Sequence, residues 1–511
     1  MRIRWGRLWG AALAVAACAS CTSVVTGSPV GAGGSAAAEQ PVDRPAEAVL
    51  SALRQLDACA LIDPAAATGA GFPNNARAVP TAPHSCEYAA DGGAKARVQV
   101  GRGFDHSGRY HAEPINLNGV KAYLYRGEKR NETPCEISVP VSFTLSINLE
   151  VRLGTGAGGD ACAQVKALGA AATTKLGNPD SVTADPAKRT LVNWDGCTLA
   201  RIVTAQQPNL RRMSSRDALD ECQLVEDKKQ GGDDTKVEIR YDTDPLQGNQ
   251  TIRQVGGRNA AITELSGSCW VRWAHGPSGS PEKLHPLTVV TIKGSTCDNT
   301  TRTAAEAMRA LAGAPPAAPP PQRPLTYRPD EQDDAAAGAC VDYISAGSAT
   351  GCRPHTGARV PSDKKDLIAA ANADPNVACS AADETVRQVF GSAMRPVTYG
   401  AHCFWGEPTH AITVRVTITG DWAPDQFGQD PKLYANRQKK TFGGAPGVSW
   451  NAGKGAYEIY LSTTGDITKP GYLAGEVQVW PPRGAADATP DPSKLPLLDQ
   501  VMTKLAERYL R

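Results

Sequence analysis

The chain has 511 residues and carries 54 basic against 52 acidic side chains, a formal net charge of +2. This balance argues against a nucleic-acid partner, which requires a concentrated basic face. The length leaves room for three domains of the common size of roughly 100–150 residues, each able to bury a core.

The N-terminus has the layout of a secretory signal peptide. Arg2, Arg4 and Arg7 precede the apolar run 11–17, which is followed by small residues and cysteine. That run is too short to span a bilayer, and no later segment offers the roughly 18 uninterrupted apolar residues that a transmembrane helix needs. We therefore expect any membrane attachment to come from this end of the chain.

Two cysteines compete as the lipid attachment site. Val15-Ala-Ala before Cys18 fits the aliphatic-small-small pattern of a bacterial lipobox, whereas Cys21 follows small residues but has Cys18 in the aliphatic position. Cleavage before Cys21 removes Cys18 and leaves twelve other cysteines of the 14, an even number that suits an oxidising compartment. We predict lipidation at Cys21, with Cys18 as the alternative and an ordinary cleaved signal without lipid as a third possibility.

Cysteine spacing reveals an internal repeat. Four cysteines separated by 27, 49 and 27 residues are followed by four more separated by 25, 47 and 28. The first set is Cys59, Cys86, Cys135 and Cys162, and the second is Cys197, Cys222, Cys269 and Cys297. Matching intervals of this kind indicate a duplicated domain.

A third copy keeps only the first half of the pattern, Cys379 and Cys403. A disulfide requires both partners, so cysteines lost together are expected to be bonded to each other. The joint loss of the third and fourth cysteines therefore predicts Cys59–Cys86, Cys135–Cys162, Cys197–Cys222, Cys269–Cys297 and Cys379–Cys403. Cys340 and Cys352 remain to bond each other. After the predicted cleavage site at Cys21 no CxxC motif occurs, and the histidines are scattered, so we expect neither metal nor cofactor.

Hydrophobic periodicity gives the same order of elements in each copy. Residues 49–56 have helical spacing before the first cysteine, and residues 96–100 alternate as a strand. The run 143–153 alternates as a half-buried strand, and residues 165–176 form an amphipathic helix after the fourth cysteine. We predict an α+β protein of three tandem domains, each a twisted antiparallel sheet with flanking N- and C-terminal helices.

These patterns divide the chain into six segments. We expect only a short connection between the first two repeats, so that they pack as a unit, and a semi-rigid spacer where residues 314–324 hold six prolines. The predicted segments are a signal peptide at 1–20, a flexible tether at 21–44, repeat 1 at 45–180, repeat 2 at 185–312, a Pro-rich linker at 313–335 and repeat 3 at 336–511, which contains Cys340 and Cys352.

The helix with its Cys-small-Leu start, the Cys-x-aromatic strand, the central glycine and the cysteine-led final helix resemble small secreted domains of unknown function in actinobacterial lipoproteins. They are similar to extracellular sensor domains of actinobacterial Ser/Thr kinases. The resemblance covers all three copies in outline and implies an envelope-facing α+β domain. It brings no catalytic residues, and repeat 3 departs from it by lacking the second disulfide.

One loop holds residues capable of catalysis. Asp105, His106 and His111 lie together and could bind a metal or transfer a proton, although nothing elsewhere in the chain supplies an obvious nucleophile or third ligand. We interpret them as exposed polar groups of a loop. His84 and His402 precede the second cysteine of their copies, and we expect them to be packed or hydrogen-bonded beside the disulfide.

These observations favour a non-enzymatic envelope protein, anchored by lipid to the outer face of the cytoplasmic membrane, that binds a protein or small-molecule ligand as a sensor or scaffold. One alternative is a hydrolase whose site is assembled across domains from Asp105, His106 or His111. Another is a carrier of lipid or another apolar molecule, which would require an apolar cavity in each copy.

Overall fold

A computed structural model describes residues 42–90, 94–127, 134–154, 159–205, 210–213, 219–226, 234–248, 250–265, 267–334, 352–399, 402–407, 411–432, 434–453, 455–482 and 488–511. In these ranges the chain forms three antiparallel sheets with flanking helices, as the α+β prediction requires. The predicted signal peptide, Cys18, Cys21 and nearly all of the tether lie outside the described residues, as does Cys340.

The described residues of repeat 1 form four helices and seven strands. They are α1 Ala46–Arg54, α2 Pro64–Gly69, β1 Arg77–Ala82, β2 Ser85–Ala89, β3 Lys95–Gly103, α3 His106–His111, β4 Glu113–Leu117, β5 Val120–Arg126, β6 Cys135–Pro140, β7 Leu145–Arg152 and α4 Ala161–Leu176. A 3-10 turn at Pro179–Val182 leads to repeat 2.

Repeat 2 is the simplest of the three, with two helices around seven strands. They are α5 Gly196–Val203, β8 Leu210–Met213, β9 Glu221–Glu226, β10 Asp234–Asp242, β11 Thr251–Val255, β12 Arg258–Leu265, β13 Ser268–Pro277, β14 Leu287–Gly294 and α6 Cys297–Leu311.

Repeat 3 adds one strand and one helix at its start. Its elements are β15 Cys352–Pro354, α7 Lys364–Ala373, α8 Asn376–Phe390, β16 Arg395–Tyr399, β17 His402–Gly406, β18 Ile412–Thr419, β19 Tyr434–Phe442, β20 Ala445–Ala452, β21 Ala456–Ser462, β22 Tyr472–Val479 and α9 Leu497–Tyr509, with 3-10 turns at Pro424–Gln426 and Pro492–Lys494.

The three sheets share one strand order. Sheet 1 runs β1-β2-β3-β7-β6-β5-β4, and sheet 2 runs β8-β9-β10-β14-β13-β12-β11. Sheet 3 has the same order in β16-β17-β18-β22-β21-β20-β19, with β15 added at the edge. Identical topology in all three units is what a sequence repeat produces, and it allows residues of different repeats to be matched by strand register.

The same hairpin turn recurs in each sheet. Asn118 and Gly119 connect β4 to β5 with φ of 54° and 81°, Gly256 and Gly257 connect β11 to β12, and Gly443 and Gly444 connect β19 to β20. Two successive left-handed residues give the turn whose twist matches antiparallel strands. This is why the glycines at this position recur.

Helix starts are set largely by aspartate. The side chains of Asp63, Asp105, Asp160, Asp195 and Asp363 accept backbone N–H bonds at the first turns of α2, α3, α4, α5 and α7. Each satisfies a donor that has no partner inside the helix, which stabilises the helix by about 1 kcal/mol.

Five disulfides have the pairing expected from the spacing: Cys59–Cys86, Cys135–Cys162, Cys197–Cys222, Cys269–Cys297 and Cys379–Cys403. The first bond of each repeat joins the α1, α5 or α8 region to β2, β9 or β17, and each of these strands follows at least one other strand of its sheet. Disulfides in this number form in oxidising compartments, so the protein is extracytoplasmic. The pairing of Cys340 with Cys352 falls outside the described residues.

A hydrogen bond occupies the place of the missing disulfide in repeat 3. Glu136 of β6 pairs with Glu150 of β7, and Glu458 of β21 pairs with Glu476 of β22. Because these two pairs occupy equivalent positions in their sheets, the residues just before Glu136 and Glu458, which are Cys135 and Tyr457, also match. The Tyr457 hydroxyl donates to Asp499 Oδ1 at 2.9 Å, and Asp499 lies in the first turn of α9 as Cys162 lies in that of α4. Strand and final helix are therefore linked in all three repeats.

The structure corrects two details of the sequence reading. The expected half-buried strand, β7, is buried on both faces, since Ser146, Asn148 and Glu150 are buried beside its apolar residues, and it ends before Leu153. The helix expected before the first cysteine does precede Cys59, but α5 and α8 contain Cys197 and Cys379 themselves. The alternation of apolar and polar residues along β7 could not show that other polar groups cover the second face of this strand.

Each repeat has its own apolar core between sheet and helices. Three residues from elsewhere complete the core of repeat 1: Val182 of the connecting turn, Leu219 of repeat 2 and Leu325 of the Pro-rich linker. Within the ranges given above, none of the helices combines the length and apolar character that crossing a membrane requires.

Candidate functional site

Repeats 1 and 2 pack together through equivalent positions. His84 and Asp220 each lie two residues before the second cysteine of their repeat, and His84 Nδ1 is 2.7 Å from Asp220 Oδ1. His84 Nε2 lies 2.9 Å from the Val192 carbonyl, which can only accept. Asp220 Oδ2 also accepts from the His84 backbone N–H and the Ser85 hydroxyl. Both ring nitrogens of His84 are therefore hydrogen-bonded, Nε2 as a donor to Val192.

The same interface has a buried ion pair and an apolar contact. Arg54 of α1 donates to Asp195, the cap of α5, at 2.9 Å, and both side chains are almost fully buried. Leu219 packs against Gly101 of β3, where a Cβ atom would lie 2.6 Å from the leucine side chain. The two repeats thus pack as a unit, as their short connection suggests.

The Pro-rich linker does not stand free between repeats 2 and 3. Residues 319–333, here called the strap, lie along repeat 1. The Pro319 carbonyl accepts from the Ser51 hydroxyl at 2.9 Å, the Gln322 N–H donates to Ala48 O at 2.9 Å, and the Tyr327 carbonyl accepts from the Lys121 N–H at 2.8 Å. The expectation of a spacer was wrong because composition does not show that Leu325 and Tyr327 are buried.

The last residues of the predicted tether also belong to this contact. The Arg44 guanidinium lies 3.6 Å from the centre of the Tyr327 ring, a cation–π geometry, and it donates to the Leu325 and Thr326 carbonyls. Asp43 Oδ1 accepts from the Phe143 N–H at 2.9 Å. Asp43 and Arg44, the last two residues of the predicted tether, therefore pack on the folded domain.

The strap ends in a carboxylate held by three groups of repeat 1. Asp333 Oδ2 accepts from Arg109 Nε at 2.9 Å, and Oδ1 accepts from Lys121 Nζ and the Tyr123 hydroxyl, each at 3.1 Å. Arg109 is 1% exposed and Asp333 is 4% exposed. A buried carboxylate requires such compensation, because an unpaired charge in this setting is strongly unfavourable.

Arg109 is fixed by repeat 1 independently of the strap. Its guanidinium donates to the carbonyls of Phe104 at 2.7 Å, Phe143 at 2.9 Å and Ser142 at 2.9 Å. The Phe104 carbonyl lies in the loop before α3, and the Ser142 and Phe143 carbonyls lie in the β6–β7 turn. Sequence patterns do not single out Arg109, Lys121, Tyr123 and Asp333, because these residues come from separate elements and from the strap. A Leu-x-Tyr within a Pro-rich stretch was the available signal.

Two of the three residues considered for catalysis have structural contacts. Asp105 caps α3 by accepting from the Gly108 N–H at 2.8 Å, and the His106 side chain lies outside the described residues. The His111 ring packs edge-on to Trp480 of repeat 3, with the ring centres 5.3 Å apart. Tyr110 donates to the Pro481 carbonyl at 3.0 Å. The segment expected to be an exposed loop is therefore the short helix α3, whose end contacts repeat 3.

Burial sets the ionisation of the groups around the strap. Burial lowers the pKa of His111, partly opposed by the Asp105 charge, so the imidazole is neutral at neutral pH. Burial, with the nearby Asp333 carboxylate, raises the pKa of Tyr123, and burial raises that of Tyr327 to about 12. Both phenols are thus neutral, and Tyr123 is a stable donor to Asp333.

This surface can bind an acidic segment in extended conformation. An apolar slot accepts Leu325, the Arg44 guanidinium lies over the Tyr327 ring, and the donors of repeat 1 bind the Asp333 carboxylate. Among the described residues, no group of three or more His, Cys, Asp or Glu side chains could hold a metal ion. His402 lies beside its disulfide, as expected, with Nδ1 2.6 Å from the Thr417 hydroxyl.

Residues 13–175 are similar to a family described as a protein of unknown function, DUF3558. The match covers repeat 1 and about a third of the chain, and it leaves repeats 2 and 3 outside. Neither a curated protein nor a solved structure matches the chain. The part of the chain that resembles a known family is therefore the repeat that holds the strap.

Proposed function

We propose that the protein is a lipid-anchored, non-enzymatic binding module of the cell envelope, acting as a sensor or scaffold on the outer face of the cytoplasmic membrane. The observation that carries this proposal is the use of the chemically versatile side chains of α3 and β5. Asp105 caps a helix and His111 packs on Trp480, while Arg109, Lys121 and Tyr123 bind a carboxylate of the chain itself. These groups therefore serve binding contacts, which supports a binding module.

Lipid attachment is tested by the mass of the N-terminal peptide from membranes of expressing cells. We expect a diacylglycerol-modified Cys21, absent in Cys21→Ala and retained in Cys18→Ala. Loss of the lipid in Cys18→Ala alone would move the site to Cys18, and an unmodified N-terminus in the wild type would contradict the anchor.

The absence of catalysis is tested with a triple variant, D105A/H106A/H111A. Hydrolytic turnover of envelope-type ester, amide or glycoside substrates that disappears in this variant, while the fold is retained, would favour the hydrolase. Native mass spectrometry of the full chain addresses the carrier: we expect the mass of the polypeptide without stoichiometric bound lipid, and co-purified lipid in each preparation would contradict the proposal.

A further inference from the structure

The strap is bound to repeat 1 as a ligand is bound to a receptor. Residues 313–334 contain neither a helix nor a strand, so their conformation comes from the surface on which they lie. The strap contacts described above are with repeat 1 and with Arg44 directly before it. The contacted residues of repeat 1 are Ala48, Ser51, Arg109 and Lys121. An extended segment held by main-chain bonds and a few side-chain anchors is a recurring mode of peptide recognition.

Three anchors give the strap its specificity. Leu325 enters the apolar core of repeat 1 and is 3% exposed. Tyr327, two residues on, stacks beneath the Arg44 guanidinium. Asp333, six residues further, binds Arg109, Lys121 and Tyr123. Intervening side chains such as Asp330 point to solvent, where its carboxylate is 80% exposed.

The orientation of Arg109 does not depend on Asp333 alone. Three carbonyls of repeat 1 also hold the Arg109 guanidinium, in the orientation in which its Nε–H faces Asp333. A receptor whose donors are already oriented loses little conformational entropy on binding, which favours affinity. Arg109 thus behaves as part of a binding site and not only as the partner of one ion pair.

The other repeats lack the same donors. Strand register and the shared hairpin turn match Lys121 of repeat 1 to Asn259 of repeat 2 and Pro446 of repeat 3. Tyr123 likewise matches Ala261 and Val448. Proline has neither the backbone N–H that Lys121 donates to Tyr327 nor a cationic group. The carboxylate site is therefore particular to repeat 1 and is not a general feature of the fold.

We infer that repeat 1 carries a groove for an extended acidic peptide with a leucine, an aromatic residue two positions later and a carboxylate six positions after that, and that the strap fills this groove in cis as a latch. The inference rests on the proposed binding function and names the site and the chemistry of its partner. A covalently attached ligand has a high effective concentration, so an external peptide competes only when the latch is weakened.

The test uses the full chain and a fluorescent synthetic peptide that spans residues 319–334. The protein variants are D333N, which weakens the latch without altering the apolar core, and L325A/D333N, which weakens it further. Fluorescence anisotropy should show saturable binding to both variants, at least about tenfold tighter than to the wild type, whose own strap competes. Circular dichroism and thermal unfolding report whether each variant keeps its fold.

Two matched controls define specificity. A peptide carrying Asp330→Asn, which alters an exposed carboxylate, should bind as the unmodified peptide does, whereas a peptide carrying Asp333→Asn should lose most binding. Adding R109M to the D333N protein should also abolish binding. A folded D333N protein that does not bind the peptide, or that binds both altered peptides equally, would overturn the groove. Lipid attachment at Cys21 is measured separately, so either proposal can fail alone.

Discussion

His84 and Asp220 occupy the same position in two copies of one repeat, and their side chains meet across the interface between those copies. If both copies had the same residue at this position, His would face His or Asp would face Asp. Here one copy supplies an imidazole and the other a carboxyl group, with His84 Nδ1 2.7 Å from Asp220 Oδ1. The two copies are therefore complementary at this contact.

The His84–Asp220 pair is expected to show strong coupling. His84→Ala or Asp220→Ala leaves a buried polar group without its partner and should lower the free energy of unfolding of repeats 1 and 2 by roughly 1–3 kcal/mol. The double variant should cost less than the sum. A double-mutant cycle measured by urea denaturation provides the coupling energy, and additive effects would contradict the pairing of these two side chains.

Two arginines that connect α1 and α5 provide a matched comparison. Arg54 pairs with Asp195 with both side chains buried, whereas Arg201 pairs with Glu47 with side-chain exposures of 56% and 50%. Arg54→Ala should destabilise the protein by roughly 3–5 kcal/mol because Asp195 is left uncompensated. Arg201→Ala should cost less than about 1 kcal/mol. Equal effects in thermal or urea unfolding would show that burial does not set the strength of this interface.

The hydrogen bond that stands where repeat 3 lacks a disulfide should contribute measurably. Tyr457→Phe removes the hydroxyl that donates to Asp499 and should cost roughly 1–2 kcal/mol, as a bond to a partly exposed charged acceptor does. Lys440→Ala, which removes an exposed ion pair with the same carboxylate, should cost less than about 1 kcal/mol. The free energy of unfolding of repeat 3 is the measurement, and an unchanged value in Tyr457→Phe would contradict the link.

Acid should destabilise repeat 3 through His402. Burial, followed by the nearby Arg415 charge, lowers the pKa of His402 from 6.5 to about 4. Between pH 6.5 and 4 the unfolded chain therefore binds a proton at His402 that the folded chain does not bind. The free energy of unfolding falls by at most roughly 3 kcal/mol as the pH drops through this range. His402→Gln should flatten this part of the stability–pH curve. The same slope in variant and wild type would assign the acid sensitivity elsewhere.

Local signals predicted much of the fold. The cysteine intervals indicated the repeats, the alternation at residues 96–100 and 145–151 located strands β3 and β7, and the 3.6-residue periodicity at 165–176 located α4. These features depend on near neighbours and on the period of each element, so they can be read along the chain. The burial of the second face of β7 could not be read along the chain, because the polar partners of that face come from other strands.

The sequence by itself determined the repeated α+β organisation and a disulfide pairing that the loss of two cysteines reveals. Only the tertiary structure decided that the Pro-rich linker is a bound strap, that Arg109 belongs to a carboxylate site and that His111 lies against repeat 3. These relationships join residues separated by up to 371 positions, such as Tyr110 and Pro481. Their energies come from burial and pairing of charges between elements, which neither composition nor periodicity encodes.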